Sequence, residues 1–168
     1  MNLMIANIFL FSSPDTVTGW APIDDRVMGG CSTSCLRYDP QGHAVIEGTV
    51  RADNNGGFAS VRTRAVELDT KNVGAFVLKV NGDGKRYKFN LRMDDNFDGV
   101  TYQTAFVTPV GVWTSVHFPV SQFTATRRGR PVSGAPTLDP AGVRQMGLMI
   151  GDRQLGDFSL KVSVIGIE

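Results

Sequence analysis

The sequence has few cysteines and histidines, which excludes several classes of protein. Two of each occur in 168 residues, whereas a small secreted domain depends on a larger set of cysteines. His43 and His117 have no second ligand at zinc-binding spacing, so we predict no metal site and no cofactor. Cys31 and Cys35 would lie roughly 13 Å apart on an extended strand, too far for a disulfide, and we expect two free thiols.

An excess of charge of one sign is also missing. Seventeen Lys and Arg oppose sixteen Asp and Glu, a formal charge of +1, so no global field favours nucleic acid or an anionic membrane. The apolar residues 1–11 are too few to span a bilayer and lack the basic start of a signal peptide. We therefore expect a cytoplasmic protein that neither spans a membrane nor binds nucleic acid.

Sustained helical periodicity is absent, and the pattern is that of short strands. Nineteen glycines and eight prolines indicate many turns. The length suits one domain over residues 1–168. The pattern predicts an all-β fold, an antiparallel β-sandwich or jelly roll, because no crossover helices separate the strands. The predicted strands are 8–11, 32–38, 43–51, 58–63, 75–81, 86–93, 102–107, 113–118, 145–150 and 158–167.

Turn residues predict how some of these strands connect. Gly82-Asp83-Gly84 predicts a hairpin between strands 75–81 and 86–93, and Asp39-Pro40-Gln41-Gly42 predicts another. Residues 125–140 are predicted to form a long exposed loop that ends in one helical turn at Asp139-Pro140. The aromatic residues among apolar alternations, with Trp113 as one example, are expected in the core.

Two glycine-rich segments, 24–32 and 54–62, carry the candidate site. Each places a glycine pair beside charged or hydroxyl side chains, and glycine permits positive φ and close backbone approach. We predict that both segments meet at one end of the sandwich. The candidate contact residues of these loops and of a neighbouring sheet face are Asp25, Arg26, Met28, Gly29, Gly30, Ser32, Gly56, Gly57, Ser60, Arg62, Asn90 and Arg92.

The same motifs resemble a known family. Asp25–Gly30 with Ser32, and Gly56–Arg62, are similar to the signature of the complex I intermediate-associated protein family, and further motifs follow in the family's order. The other matching features are Trp20, Gly82-Asp83-Gly84, Tyr87, Trp113, Pro119, Phe123, Gly129-Arg130, Gly147–Ile150 and Gly156–Leu160. The resemblance implies a galactose-binding-like β-sandwich and, for mitochondrial members, a chaperone-like role in assembling respiratory complex I. Because no Arg-rich transit segment opens the sequence, we expect a bacterial single-domain relative.

The candidate residues allow more than one interpretation. Arg26 and Arg62 could form a clamp for a carboxylate, a phosphate or sugar hydroxyls, or Arg26 could simply pair with an adjacent aspartate and hold the loop. A second candidate surface is a polar sheet face, formed if the strands carrying Ser60, Arg62, Lys88, Asn90, Arg92 and Gln103 share one side. The loop 94–99 resembles half of a calcium loop, but position twelve is Ala105 instead of Glu, so a turn with self-satisfied aspartates is favoured.

The sequence favours a non-enzymatic function. Asp24-Asp25 and Asp94-Asp95 are neighbours in the chain and do not form a facing acid/base pair. The leading hypothesis is a protein-binding or chaperone-like domain related to complex I assembly factors, whose partner is a respiratory-complex subunit or an assembly intermediate. The alternative is a carbohydrate or small-molecule binding module, with a sugar or a small anion as its ligand.

Overall fold

The computed structural model describes residues 5–25 and 29–168, which form two sheets of antiparallel strands. The six-stranded sheet contains β1 (Ala6–Leu10), β3 (Thr33–Asp39), β4 (His43–Val50), β6 (Ala75–Asn81), β9 (Trp113–Pro119) and β13 (Gly156–Ile167). The seven-stranded sheet contains β2 (Trp20–Pro22), β5 (Ala59–Thr63), β7 (Arg86–Arg92), β8 (Thr101–Val107), β10 (Thr124–Arg127), β11 (Arg130–Pro131) and β12 (Gln145–Ile150). The predicted all-β antiparallel sandwich is thus confirmed.

The order of strands differs from their order in the chain. One sheet runs β3-β4-β13-β6-β9, with β1 paired to β13, and the other runs β11-β10-β8-β7-β12-β5-β2. The helical segments described are short 3-10 turns at Pro14–Val17, Asp53–Asn55, Val120–Gln122 and Pro140–Gly142. The last is the predicted single turn, and the Asp139 carboxylate caps it by accepting the Ala141 N–H at 3.0 Å. Within residues 5–25 and 29–168, no helix is long and apolar enough to cross a membrane.

The core lies between the two sheets because each strand turns one set of alternate residues inward. On β7, Tyr87, Phe89 and Leu91 are buried, whereas the intervening residues are half-buried or exposed, as the alternation predicts. Aromatic rings join the sheets across the core. The Phe89 ring lies 6.1 Å from Phe76 and 5.5 Å from Phe118, both on the opposite sheet.

The hairpin predicted between β6 and β7 is wrong. β6 pairs with β9 and β13, whereas β7 pairs with β8 and β12, so residues 82–85 carry the chain from one sheet to the other. Asp83 fixes this crossing by accepting the Tyr87 hydroxyl and the Ser159 N–H. Glycine and aspartate favour a turn here, but such residues serve a sheet-to-sheet crossing as well as a hairpin. The second predicted hairpin, between β3 and β4, is confirmed.

Two further predictions need correction. Residues 125–140 do not form one long loop, because β10 and β11 extend the seven-stranded sheet within them. Trp113 is not a core residue: it is 40% exposed, and its ring packs edge-on against buried His43 at 5.4 Å. The alternation that suggested burial holds only at the end of β9, where Phe118 is buried. Cys31 and Cys35 are both free, as expected.

Candidate functional site

The two glycine-rich segments meet at a buried carboxylate. Asp25 is fully buried, and its Oδ1 accepts the Ser32 N–H at 2.8 Å. Its Oδ2 accepts the Ser32 hydroxyl at 2.5 Å and the Gly57 N–H at 2.8 Å. Burial acts to raise the pKa of Asp25, but these donors outweigh it and hold that pKa below its usual value. Asp25 is therefore an ionised anchor between segments distant in the chain.

The preceding residue, Asp24, joins strand β3 to strand β5. Asp24 accepts the N–H and hydroxyl of Ser34, at 3.1 Å and 2.6 Å, and the Ser60 N–H at 3.1 Å. The Ser60 hydroxyl donates to the Ile23 carbonyl. Consequently Ser32 and Ser60, both candidate contact residues, use their hydroxyls inside the protein. Asp24 was not among the predicted contact residues. An acidic pair close to serines and glycines in the sequence is a signal that its carboxylates accept N–H and hydroxyl groups of the neighbouring turns.

The glycines of both motifs are needed for space around Asp25. A Cβ on Gly30 would lie 2.4 Å from the Asp25 Cγ, and a Cβ on Gly56 would lie 2.4 Å from its Oδ2. Gly57 has a φ of +137°, which other residues rarely adopt. Gly29 has no such neighbour, and its carbonyl accepts the Asn54 side-chain N–H at 2.9 Å. The loops therefore lie side by side, as predicted.

Two candidate residues cannot be placed. Arg26 and Met28 lie outside the described residues. The proposed clamp between Arg26 and Arg62, and the alternative pairing of Arg26 with an adjacent aspartate, therefore stay predictions.

The other candidates share one polar face of the seven-stranded sheet. β12 lies between β5 and β7, and the register aligns Arg62, Gly147, Asn90 and Gln103 in one row across four strands. All three polar residues are half-buried, and Gln103 donates to the Asn90 side-chain oxygen at 2.8 Å. Gly147 adds no side chain to this row, and a Cβ there would lie 3.1 Å from the Val61 carbonyl oxygen and 3.7 Å from the Arg62 stem.

Two arginines converge on this face. The Nη1 groups of Arg62 and Arg92 donate to the same acceptor, the Phe97 carbonyl oxygen, at 2.9 Å and 3.1 Å. Burial, reinforced by the charge of Arg92, lowers the pKa of Arg62 to about 10. Burial also lowers the pKa of Arg92. Both side chains remain charged at neutral pH, and their like charges are held close together.

The loop 94–99 forms one wall of this arginine site. The Phe97 ring is 58% exposed and lies 5.1 Å from the Arg62 Cζ, within cation–π range. A shallow groove of about 340 Å³ runs past Arg62, Phe97 and Gln145 towards Trp20. Phe97 was not among the predicted contact residues. Its position as the one aromatic residue in the polar turn 94–99 is a signal of an exposed contact residue.

The same loop does not hold its aspartates around a cation. Asp94 accepts the Asn96 N–H at 3.0 Å, Asp95 pairs with Arg144, and Asp98 pairs with Arg128 at 2.5 Å. In the part of the chain that the structure describes, no group of three or more His, Cys, Asp or Glu side chains is placed to bind a metal ion. The arrangement is instead suited to accepting oxygen atoms of a ligand, because guanidinium and amide groups present N–H donors.

The family model for complex I intermediate-associated protein 30 matches residues 9–162. The chain belongs to this family. The relative in Drosophila melanogaster, named complex I intermediate-associated protein 30, mitochondrial, is 26% identical over 96% of this chain and 62% of its own length. An uncharacterised protein of Schizosaccharomyces pombe is 30% identical over 94% of this chain and 82% of its own. The chain thus spans less than two thirds of the length of the fly protein.

A solved structure supports the sandwich architecture. The family 11 carbohydrate-binding module of a cellulosomal cellulase from Clostridium thermocellum superposes with a TM-score of 0.72 at 14% identity, covering 99% of this chain and 95% of the module. At that identity the likeness concerns the fold alone. The names of the family model and of the fly relative describe a protein associated with a complex I intermediate and state no catalytic activity. The fly protein's name places that relative in mitochondria, which differs from the cytoplasmic location expected from the sequence.

Proposed function

We propose that this chain is a non-catalytic protein-binding domain that contacts a subunit or assembly intermediate of respiratory complex I. The observation that carries the proposal is the half-buried polar face around Arg62, Asn90 and Arg92, directly beside the joined glycine-rich loops. Family membership supports the kind of partner. The contact surface consists of this face together with the two glycine-rich segments, 24–32 and 54–62. The carboxylates and hydroxyls of Asp24, Asp25, Ser32 and Ser60 are not part of it, because they bind within the protein.

The proposed surface has the composition expected of a transient protein interface. Its arginines and amides can donate hydrogen bonds to a partner, while exposed Phe97 offers an aromatic anchor. The opposite sheet supplies a matched control surface. Lys161 is half-buried on β13 of the six-stranded sheet and, like Arg92, carries one positive charge.

The test combines loss of the chain with capture of its partner. Cells lacking the chain should contain less fully assembled complex I on native gels, and the tagged chain should capture complex I subunits. An Asn90→Ala/Arg92→Ala variant should capture at least tenfold less, whereas Lys161→Ala should capture as much as the native chain. Unchanged complex I assembly together with no captured complex I subunit would overturn the proposal.

A second candidate function is carbohydrate binding at the same polar face. The favouring observation is the exposed Phe97 ring over Arg62, together with the paired amides of Asn90 and Gln103 in the same row as Arg62. An aromatic face and amide groups together can bind a sugar ring. The carbohydrate-binding module with the same fold motivates the choice of ligand. Titration calorimetry with soluble β-glucan oligosaccharides at millimolar concentration tests it. Binding that Phe97→Ala abolishes would support this function, and no heat with any oligosaccharide would reject it.

A further inference from the structure

Among the residues that the structure describes, the arginine pair of the polar face has hydrogen-bond donors without acceptors. Each guanidinium offers five N–H donors. Within the described residues, Arg62 donates through Nη1 to the Phe97 carbonyl, and Arg92 donates through Nη1 to the carbonyls of Phe97 and Gly99. The buried side-chain atoms without partners in this part of the chain belong to Trp20 and His43. The remaining donors of both arginines therefore reach solvent and are available to a ligand.

The nearby carboxylates form no ion pair with the two arginines. Asp95 and Asp98 form their ion pairs with Arg144 and Arg128, and neither Arg62 nor Arg92 forms an ion pair within residues 5–25 and 29–168. The seven residues outside these ranges contain no Asp or Glu. Asp94 accepts the Asn96 N–H and, among the described residues, forms no ion pair with either arginine. A carboxylate that pairs directly with the two arginines would therefore come from a second molecule.

We propose that Arg62 and Arg92 bind a carboxylate of the protein partner, from an acidic side chain or a C-terminus. This inference rests on the proposed function and names the chemistry of the contact. A carboxylate is planar and has two oxygens, which matches the donor fork of a guanidinium. A carboxylate oxygen accepts from the free N–H groups of the two arginines, either beside the Phe97 carbonyl oxygen or in its place.

The surroundings favour a carboxylate over a phosphate. Asp94, Asp95 and Asp98 lie in the adjacent loop, and Asp94 and Asp98 are close enough to act on the pKa values of both arginines. They repel a dianionic phosphate more strongly than a singly charged carboxylate. Partial burial of the two arginines strengthens the attraction to an incoming anion, because solvent screens the interaction less there.

The test measures anion binding to the chain alone. Acetate replaces chloride at constant ionic strength while the Nε–Hε signals of the arginines are followed by NMR, and inorganic phosphate serves as a second arm. We expect saturable shifts of the Arg62 and Arg92 signals with acetate, at least tenfold weaker binding in Arg92→Gln, and unchanged binding in Arg130→Gln. Arg130 is an exposed residue of β11, so this control removes the same charge from the same sheet.

The outcomes separate this inference from the proposed function. Shifts with phosphate but not acetate, or no saturable shift with either, overturn the carboxylate assignment. Capture of complex I subunits that survives Arg92→Gln also overturns it and leaves the proposed function standing. Conversely, acetate binding with the expected variant pattern supports the site, and absence of any complex I subunit from the captured material then counts against the proposed function alone.

Discussion

The Gly57 N–H donates to the Asp25 carboxylate at 2.8 Å and thereby joins segments 32 residues apart in the chain. Asp25 also accepts from the N–H and hydroxyl of Ser32. A fully buried carboxylate with three donors is stable only while every donor stays in place, because its desolvation must be offset. The two glycine-rich segments are therefore joined through the buried charge of Asp25, and their geometry depends on that charge.

Replacing Asp25 by Asn should destabilise the fold. The amide removes the charge and replaces one acceptor oxygen by an NH2 group that faces other donors, so we expect a loss of about 2–4 kcal/mol in the free energy of unfolding. Urea denaturation measures the change. Asp53→Asn is the control, because Asp53 is exposed and, among the described residues, pairs with Arg51 next to the same loop. Equal losses in both variants would show that Asp25 has no special role.

Replacing Gly56 by Ala should also destabilise the fold, because the added methyl group would collide with Asp25. Its Cβ would lie 2.4 Å from the Asp25 Oδ2 and 3.0 Å from the Arg51 carbonyl, so Gly56→Ala should cost about 1–3 kcal/mol. Gly142→Ala is the matched control, since its nearest contact is an ordinary 3.6 Å to Met93. Thermal and urea unfolding of both variants test this. A tolerated Gly56→Ala would mean that Asp25 is not tightly enclosed.

Stability should fall in mildly acidic solution because of His43. Burial lowers the pKa of His43 below its usual value, so the unfolded chain takes up a proton near pH 6.5 while the folded chain does not. The contribution is fully present above about pH 6.5 and is lost as pH falls towards the lower folded pKa, with a slope of at most about 1.4 kcal/mol per pH unit.

Urea denaturation between pH 7.5 and pH 5 measures this slope. His43→Gln should flatten it, whereas His117→Gln should leave the His43 contribution in place, because His117 is half exposed and contacts Glu168 at 2.7 Å. A slope that survives His43→Gln would assign the pH dependence to another group.

The sequence predicted the fold well because its signals are local. Strict alternation on β7 identified both its buried and its polar face, and the turn at Asp39–Gly42 placed β3 beside β4. The pairing of strands that are far apart in the chain has no such local signal in the sequence. The turn at Gly82-Asp83-Gly84 looks like a hairpin, and only tertiary contacts decide otherwise. A Cβ on Gly82 would lie 2.2 Å from the Thr108 hydroxyl, which shows how closely the crossing packs.

The candidate site was predicted in outline but not in its internal roles. The glycine pairs indicated two loops of special geometry, yet the reason for them, the Asp25 carboxylate between the loops, depends on distances that a sequence does not contain. Likewise, Arg62 and Arg92 are far apart in the chain, and the register of β12 between β5 and β7 brings them together. Phe97 belongs to the site through its carbonyl, which accepts from Arg62, and through its ring, which lies over the same guanidinium.

The two aromatic residues of β9 should differ sharply in their contribution to stability. Phe118 is 1% exposed and packs against Phe89 and Phe106 at 5.5 Å, so Phe118→Ala should cost about 3–5 kcal/mol through lost burial and a cavity. Trp113 is 40% exposed and contacts the His43 ring, so Trp113→Ala should cost only about 1 kcal/mol. Urea denaturation of both variants provides the comparison. Equal losses would place Trp113 in a packed environment, as its alternation along β9 had suggested, and would contradict the exposure that distinguishes it from Phe118.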